Sequence, residues 1–462
     1  MNLKSETKCL ILILILLSLG FFLVYISHVE RNIPSVLKTR EGLLDISYYF
    51  LAPFPNLIYG PVIMAFSPLI HLYLKKKFPP ADPFVIPAVA ILCGIGLIMI
   101  LRLSPDLAYF RNEAIQSFLG RYPDAVIREN VHTLAKLGMK HFISVATGIF
   151  IMLISIIIFN QRVFSWLSSK KYLWIFVSVT LILVTLIFGT KINERRLWLL
   201  GFQPVELVKL LIVFFISGYF YEKAKGLSIN GGRSLRTWVN YGAPFVFMCC
   251  FALIPILIQR DFGPTFLIFL VFLVMFYYAG NRNLITLLFV MLIIAGGYLS
   301  YEVGFPSLVR ERFDMMFDPF GRSESMSRSL WSIASGGIFG SGIGYGEPFR
   351  IPEVHSDYVF SAICEEMGFL GGMAVIFAYA TLIYRCFRIS SQTDNLYKRL
   401  LVICIATLIG TQAFIIICGN LGVIPMTGIT LPLVSYGGSS TIINFLMVGI
   451  VIRVSGEKSC PM

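Results

Sequence analysis

Long apolar runs separated by short polar stretches make up most of this chain, and one polar stretch stands apart from the rest. Runs near 84–104, 141–160, 172–190, 204–222, 240–258, 264–281, 283–301, 357–384, 400–420 and 436–453 each come close to the about 20 residues a helix needs to cross a bilayer. Two more precede them. Lys4 and Lys8 lead into a run over 9–25, and a second covers 49–74, interrupted by Pro53, Pro55, Pro61 and Pro68 and closed by Lys75, Lys76 and Lys77. The first run is longer than the apolar core of a secretory signal, and no small-x-small cleavage site follows it, so it reads as an uncleaved anchor. The pattern predicts an all-α polytopic membrane protein with a ten-helix domain over 81–456. An N-terminal extension over 1–80 adds two helices, and a large loop over 302–356 interrupts the ten.

Composition agrees. Of 462 residues 57% are hydrophobic and only 14% charged, with a mean hydropathy of +0.79, which excludes an ordinary soluble domain. The formal net charge of +13 has no basic-aromatic patch or nucleic-acid motif beside it, so nucleic acid is not an expected partner. Basic loops facing anionic membrane lipids explain it instead. Nine cysteines sit mainly inside apolar runs, without CxxC, and give neither a disulfide framework nor a zinc site. The five histidines have no ligand spacing, and no Walker loop, dinucleotide fingerprint or HExxH is present.

Charge then sets the orientation. Alternate loops holding Lys75, Lys76 and Lys77, then Arg162, Lys170 and Lys171, then Lys223, Lys225, Arg233 and Arg236, then Arg282, then Arg385, Arg388, Lys398 and Arg399 are net positive. They belong in the cytoplasm, with both termini. The 302–353 loop carries more acids than bases and therefore faces outward, where ATP and nucleotide sugars are absent.

That loop runs RERFDMMFDPFGRSES, SIASGGIFGSGIGYG, IPEVHSDYVF and re-enters an apolar run at AICEEMGFLGG. A long loop rich in Arg, Asp, Glu and Gly between spans is the expected place for chemistry. Asp318-Pro319-Phe320-Gly321 reads on its own as a turn opened by an aspartate. Glu353, His355 and Asp357 read either as a small acid-base cluster or as a helix start with Asp357 as its cap. Glu365 and Glu366 lie inside a span, so at least one must face protein or water. Gln203-Pro204-Val205-Glu206-Leu207-Val208-Lys209 opens another span, with proline in the first turn and Glu206 and Lys209 at i and i+3, near enough to pair. This pair is either a structural ion pair or part of a polar cavity. Arg195, Arg196 and Trp198 are candidates for phosphate contact or for interfacial anchoring. Asp261 reads as a helix cap or as a residue facing the central loop. The last span opens with LPLVSYGGSS, whose small residues permit close packing.

Taken together these stretches resemble one family, the SEDS proteins of shape, elongation, division and sporulation (the RodA/FtsW/SpoVE group). ERRLWLLGFQPVELVK, QRDFGPTF, FDPFG followed by SIASGGIFGSGIG, IPEVHSDYVFSAICEEMGFLGG and LPLVSYGGSS occur in the family's order and spacing. The resemblance covers residues 84–453 and implies a SEDS-type ten-helix bundle. It further implies a peptidoglycan glycosyltransferase that polymerises lipid II outside the cytoplasmic membrane, in elongation, division or sporulation, beside a class B penicillin-binding transpeptidase. Asp318 matches the family's catalytic aspartate. Glu206 and Lys209 match its Q-P-x-E-x-x-K helix, and Ser435 and Ser439 fall in its SYGGSS signature. Departures are Val205 for the usual serine, Arg260 for a common proline, Ser341 for a frequent lysine, Ser323-Glu324-Ser325 for Gly-Tyr-Gln, and a short segment between Arg312 and Asp318.

In the implied reaction a sugar hydroxyl, a weak nucleophile, needs a carboxylate to take its proton, and Asp318 is the candidate. Arg310, Arg312, Lys209 or a bound divalent cation (Mg or Mn) could balance the departing diphosphate, with His355 and Asp357 as further substrate-binding candidates. The rivals are a lipid II flippase using the same polar cavity and a non-catalytic scaffold of the wall-synthesis machinery.

Overall fold

The computed structural model describes residues 3–30, 81–118, 136–192, 195–229, 261–280, 283–304 and 307–457, with positions 68, 70, 71, 134, 256 and 259 besides. The expected spans over 49–74 and 240–258 fall almost entirely outside them. The described chain is helical, relieved by one small hairpin. In order come α1 (Leu3–Glu30), α2 (Val85–Phe118), α3 (Leu137–Ile158), α4 (Gln161–Ser169), α5 (Lys171–Phe188), β1 (Thr190–Ile192), β2 (Arg195–Trp198) and α6 (Pro204–Ile229). Then follow α7 (Phe262–Gly280), α8 (Asn283–Val303), α9 (Ser307–Phe317), α10 (Pro319–Arg322), α11 (Glu324–Ser335), α12 (Val359–Ser391), α13 (Leu396–Asn420) and α14 (Gly438–Ser455).

Among the described residues eight helices, α2, α3, α5, α6, α8, α12, α13 and α14, are long and apolar enough to cross a membrane, and α1 and α7 carry shorter apolar stretches, Leu10–Val24 and Phe262–Tyr278. Helices α2, α6, α13 and α14 form the buried centre, whereas α3 and α5 lie outside and leave much of their surface uncovered. Phe150, Phe176 and Phe377 are more than 60% exposed, an arrangement that water would penalise and lipid accepts. Lipid gives no hydrophobic push between helices, so close approach must come from small residues. Against α14, a Cβ on Gly148 of α3 would stand 2.3 Å from the Phe445 ring, and one on Gly449 would meet Ser155 and Met152.

One end of the bundle is basic. There Arg385 of α12 pairs with Asp82 at 3.6 Å, and Lys398 pairs with Glu457. The amphipathic α4, capped by the Asn160 side chain, joins α3 to α5 at this end. The opposite end carries the β1–β2 hairpin, paired Thr190↔Trp198, Lys191↔Arg196 and Ile192↔Arg195, together with the 307–357 segment and the approach to α14. Arg196 there donates to the Leu186 and Ile187 carbonyls (3.2 and 2.6 Å) that end α5, which is helix capping by a cation rather than a free phosphate contact.

The 307–357 segment is more ordered than a polar loop. Three short helices, α9, α10 and α11, fold within it, and its Gly-rich part runs down the side of α12. Helix α12 breaks at Gly368 (φ 68°), and the chain at 337–342 takes up the freed backbone groups. Phe369 N donates to Gly337 O (2.9 Å) and Leu370 N to Ile338 O (3.2 Å), while Ser341 N and Gly342 N donate to Glu365 O (2.9 Å) and Glu366 O (3.1 Å). Only glycine permits this approach. A Cβ on Gly336 would lie 1.9 Å from Cys364 O, and one on Gly340 (φ 85°) 2.2 Å from Glu366 O.

Candidate functional site

The first turn of α6 supplies an ion pair. Lys209 Nζ lies 2.7 Å from Glu206 Oε2, with the two side chains 1% and 6% exposed, so the i,i+3 spacing is realised inside the bundle. Lys209 also donates to Gln412 Oε1 of α13 (3.1 Å), and Gln412 Nε2 donates to the Thr430 carbonyl (2.7 Å). Thr430 Oγ1 then meets Ser440 Oγ at 2.9 Å, and Asn444 Nδ2 donates to Ser440 O (2.8 Å). Ser439 Oγ accepts from Gln203 N (2.9 Å), and Ser435 Oγ accepts from Leu431 N (3.0 Å). Two stretches more than 200 residues apart, QPVELVK and LPLVSYGGSS, thus meet in one buried polar network, with Gln412 as the link. Gln412 escaped the sequence reading, although a lone amide inside an apolar run was the available signal.

Above this network Tyr436 N donates to His355 O (2.9 Å). The Tyr436 ring sits between the rings of His355 and His141, at 5.7 and 6.1 Å. Burial holds the His355 imidazole below its ordinary range, against the pull of the Glu353 carboxylate, which lies 3.7 Å away. Asp357 does not cap α12. That position falls to Tyr358, which makes no side-chain cap bond, because the helix begins one residue later than the Asp357 reading required. Instead Asp357 flanks Gly428 together with Arg312, each 3.7 Å from where a Cβ would stand. Burial pushes the Asp357 carboxyl up to about 6, partly opposed by Arg312. Arg312 itself donates to Met426 O (2.7 Å), tying α9 to the chain that leads into α14. Arg310, on the same helix, is exposed and stands 5.9 Å from the Tyr301 ring.

Asp318 ends α9 and caps α10. Its carboxylate is exposed, and its one hydrogen-bond partner among the described residues is Gly321 N (3.0 Å). The aspartate-led turn is therefore real, and it leaves an oxygen free for another donor. Asp318 makes no bond to the Lys209 network. Ser323, in the departure Ser323-Glu324-Ser325, caps α11 by accepting from Met326 N (3.2 Å), which gives that departure a local structural reason.

Both glutamates inside α12 are buried. Glu366 receives Arg102 Nε (2.8 Å) and Gly344 N (3.1 Å), and Arg102 also reaches Asp106 and the Gly346 carbonyl. Glu365 receives Ser332 and the Glu347 amide. Asn420 joins Ser361 Oγ (2.9 Å) to the Asp357 carbonyl (2.9 Å). These groups hold the 307–357 segment on the bundle. Among the described residues no three His, Cys, Asp or Glu side chains gather as a metal site.

Residues 84–460 match the family model for cell cycle proteins of the FtsW, RodA and SpoVE type. The chain is 29% identical to the peptidoglycan glycosyltransferase RodA of Mycobacterium tuberculosis (strain H37Rv), covering 87% of this chain and 84% of that protein. It is 30% identical to the probable peptidoglycan glycosyltransferase FtsW of Bacillus subtilis (strain 168), covering 83% and 92%. Stage V sporulation protein E of the same organism is 29% identical over 64% of this chain and 82% of its own. Among solved structures the fold is similar to a chain of a peptidoglycan synthase complex that coordinates polymerization and crosslinking (TM-score 0.62, 24% identity, 81% and 97% covered). It is also similar to the rod shape determining protein RodA of Thermus thermophilus (TM-score 0.53, 24% identity, 82% and 98% covered).

Proposed function

Because this chain belongs to the FtsW, RodA and SpoVE family of cell cycle proteins, we propose that it is a peptidoglycan glycosyltransferase, a multi-pass membrane enzyme that joins lipid II units into glycan strands. The observation that carries the reading is the buried network in which the Glu206–Lys209 pair meets the 430–444 segment through Gln412, roofed by the segment that bears Asp318. The basic end of the bundle is the cytoplasmic one, and Asp318 works at the outer face of the cytoplasmic membrane.

In the step itself the 4-hydroxyl of an acceptor sugar attacks the anomeric carbon of a lipid-diphosphate-linked donor. The new C–O bond forms as the bond from carbon to the diphosphate oxygen breaks. Asp318 takes the hydroxyl proton during attack, which a carboxylate with a free oxygen can do. The diphosphate leaves as an anion. Arg312, held by Met426 O, and the neighbouring Arg310 stabilise it by charge-assisted hydrogen bonds. Lys209, buried and neutralised by Glu206, orders the network beneath rather than meeting free anion. Polyprenyl chains run along the apolar helix faces, and a class B transpeptidase consumes the strands.

Purified protein in bilayers, given lipid II alone, is expected to yield glycan chains resolvable on a gel. Lipid II crossing the bilayer with no chains formed would replace this reading with transport.

A further inference from the structure

Helix α11 buries Ser327, Ser329 and Ser332 beside Met326, with Leu330 and Ile333 packed on the core. Ser329 meets Ser361 Oγ (2.6 Å) and Asn420 O (3.1 Å), and Ser332 meets Glu365. Its large apolar residue Trp331 points away and is 61% exposed. The Gly-rich chain that follows also turns large apolar groups outward, with Ile338 62% and Phe339 79% exposed. A segment bathed in water would turn these groups the other way.

The backbone fixes where the exposed groups lie. Gly337 O and Ile338 O accept from Phe369 N and Leu370 N, so Ile338 and Phe339 stand level with the first turn of α12 below its break. Phe369 and Leu370 are themselves 61% and 53% exposed, and they open the part of α12 that continues to Arg385. With Arg385 and Asp82 taken as the far edge of the hydrocarbon, the 16 residues back to Phe369 rise about 24 Å at about 1.5 Å each. A hydrocarbon core of about 30 Å then leaves Ile338 and Phe339 about 6 Å beneath its near edge. Irregular backbone is tolerated at such depth only where protein satisfies it. Here it is satisfied. Besides the backbone bonds to α12, Gly344 N donates to the Glu366 side chain of that helix (3.1 Å), and Arg102 donates to Gly344 O and Gly346 O (3.3 and 3.0 Å).

We propose that residues 326–346 are a re-entrant wedge, with Trp331 at the interface and Ile338 and Phe339 against the acyl chains of the leaflet at that end of the bundle. The occupant of this surface is bulk lipid, because the patch is continuous with the uncovered face of a membrane span and shares its depth. One consequence rests on the function proposed above. The Trp331 ring packs on Phe320 at 5.9 Å, two residues from Asp318, so the wedge sets the height of the candidate base against the headgroups.

Nitroxide labels at Ile338→Cys and Phe339→Cys, introduced without reactive native thiols in bilayer nanodiscs, test the depth directly. Oxygen, which concentrates in hydrocarbon, is expected to reach both sites and a water-soluble nickel chelate to be excluded, as at Phe377→Cys on α12 and opposite to Glu324→Cys. Nickel access equal to that at position 324 would overturn the wedge in favour of a surface facing water or a glycan. Exclusion of both reagents would overturn it in favour of a protein partner. The unmutated protein in bilayers carrying a diazirine on the acyl chain provides a second reading. Adducts are expected between residues 331 and 346, and their absence while the spanning helices are labelled would likewise overturn the proposal. Both measurements report depth, not turnover, and stand whether or not the protein polymerises lipid II.

Discussion

Replacing Lys209 by Met removes half of a buried ion pair and leaves the other half in place. The Lys209 ammonium is held by Glu206 at 2.7 Å and Gln412 at 3.1 Å, with its side chain 1% exposed and that of Glu206 6%. A stranded carboxylate at such a site has neither water nor partner, and losing one member of a buried pair costs about 3–5 kcal/mol. Replacing both members by apolar groups of similar volume is often close to neutral. Gln412 loses its donor in Lys209→Met and in the double replacement alike, at about 1–3 kcal/mol, so that contribution cancels between those two. A cycle of Lys209→Met, Glu206→Leu and the double variant, followed by unfolding in one fixed lipid-detergent mixture with polymerisation measured beside it, should show each single variant losing several kcal/mol more than the double. If the double variant loses the sum of the singles, or Lys209→Met leaves both folding and polymerisation unchanged, Glu206 and Lys209 do not act as a buried pair.

Three further outcomes follow from particular positions. Gly337→Ala and Gly340→Ala both force a left-handed alanine, at about 1–2 kcal/mol, but only at Gly340 does the added methyl meet backbone, 2.2 Å from Glu366 O, whereas nothing lies within 4 Å at Gly337. Gly340→Ala should therefore lower Tm and folded yield far more than Gly337→Ala, and equal losses would contradict the docking of 337–342 on α12. Single cysteines replacing Ser325 and Ser391 should label oppositely with an impermeant reagent in intact cells, Ser325 outside and Ser391 protected; the reverse would invert the orientation. Asp357, raised to about 6, binds a proton in the folded protein at pH values where the unfolded chain has lost it. Its ionised form therefore costs stability above about pH 6, and that cost disappears as the pH falls toward 4. Asp357→Asn should gain on wild type in unfolding measurements at pH 7–8 and lose that advantage through this window, and a constant difference would deny the buried carboxyl.

Apolar run length made the spanning helices legible, since a bilayer leaves the backbone few alternatives. The Glu206–Lys209 pair was legible because helical spacing decides which side chains meet. Other features were not. Gln412, Asn420 and Arg102 are single polar residues in apolar runs, and their partners lie far off in sequence, so nothing local names them. The 307–357 segment read as a loop because α10 and α11 are short, and their caps, Asp318 and Ser323, also suit plain turns. The β1–β2 hairpin was hidden for a similar reason, its strands being three and four residues long. Asp357 was misplaced as a possible cap because a helix start shifts by a residue or two with packing that local sequence does not carry.

The central claim is that Asp318 removes the acceptor's proton, and Asp318→Asn isolates it. Asparagine keeps nearly the same size, and its side-chain oxygen can still accept from Gly321 N, so the loop should keep its fold. The measurement is glycan synthesis from lipid II by the purified variant beside wild type, at matched folding and in the same bilayer. A general base is worth about 10²–10⁴ in rate, so chain formation should fall by about 10²-fold or more with lipid II binding retained. Chains formed by Asp318→Asn at the wild-type rate would contradict the account.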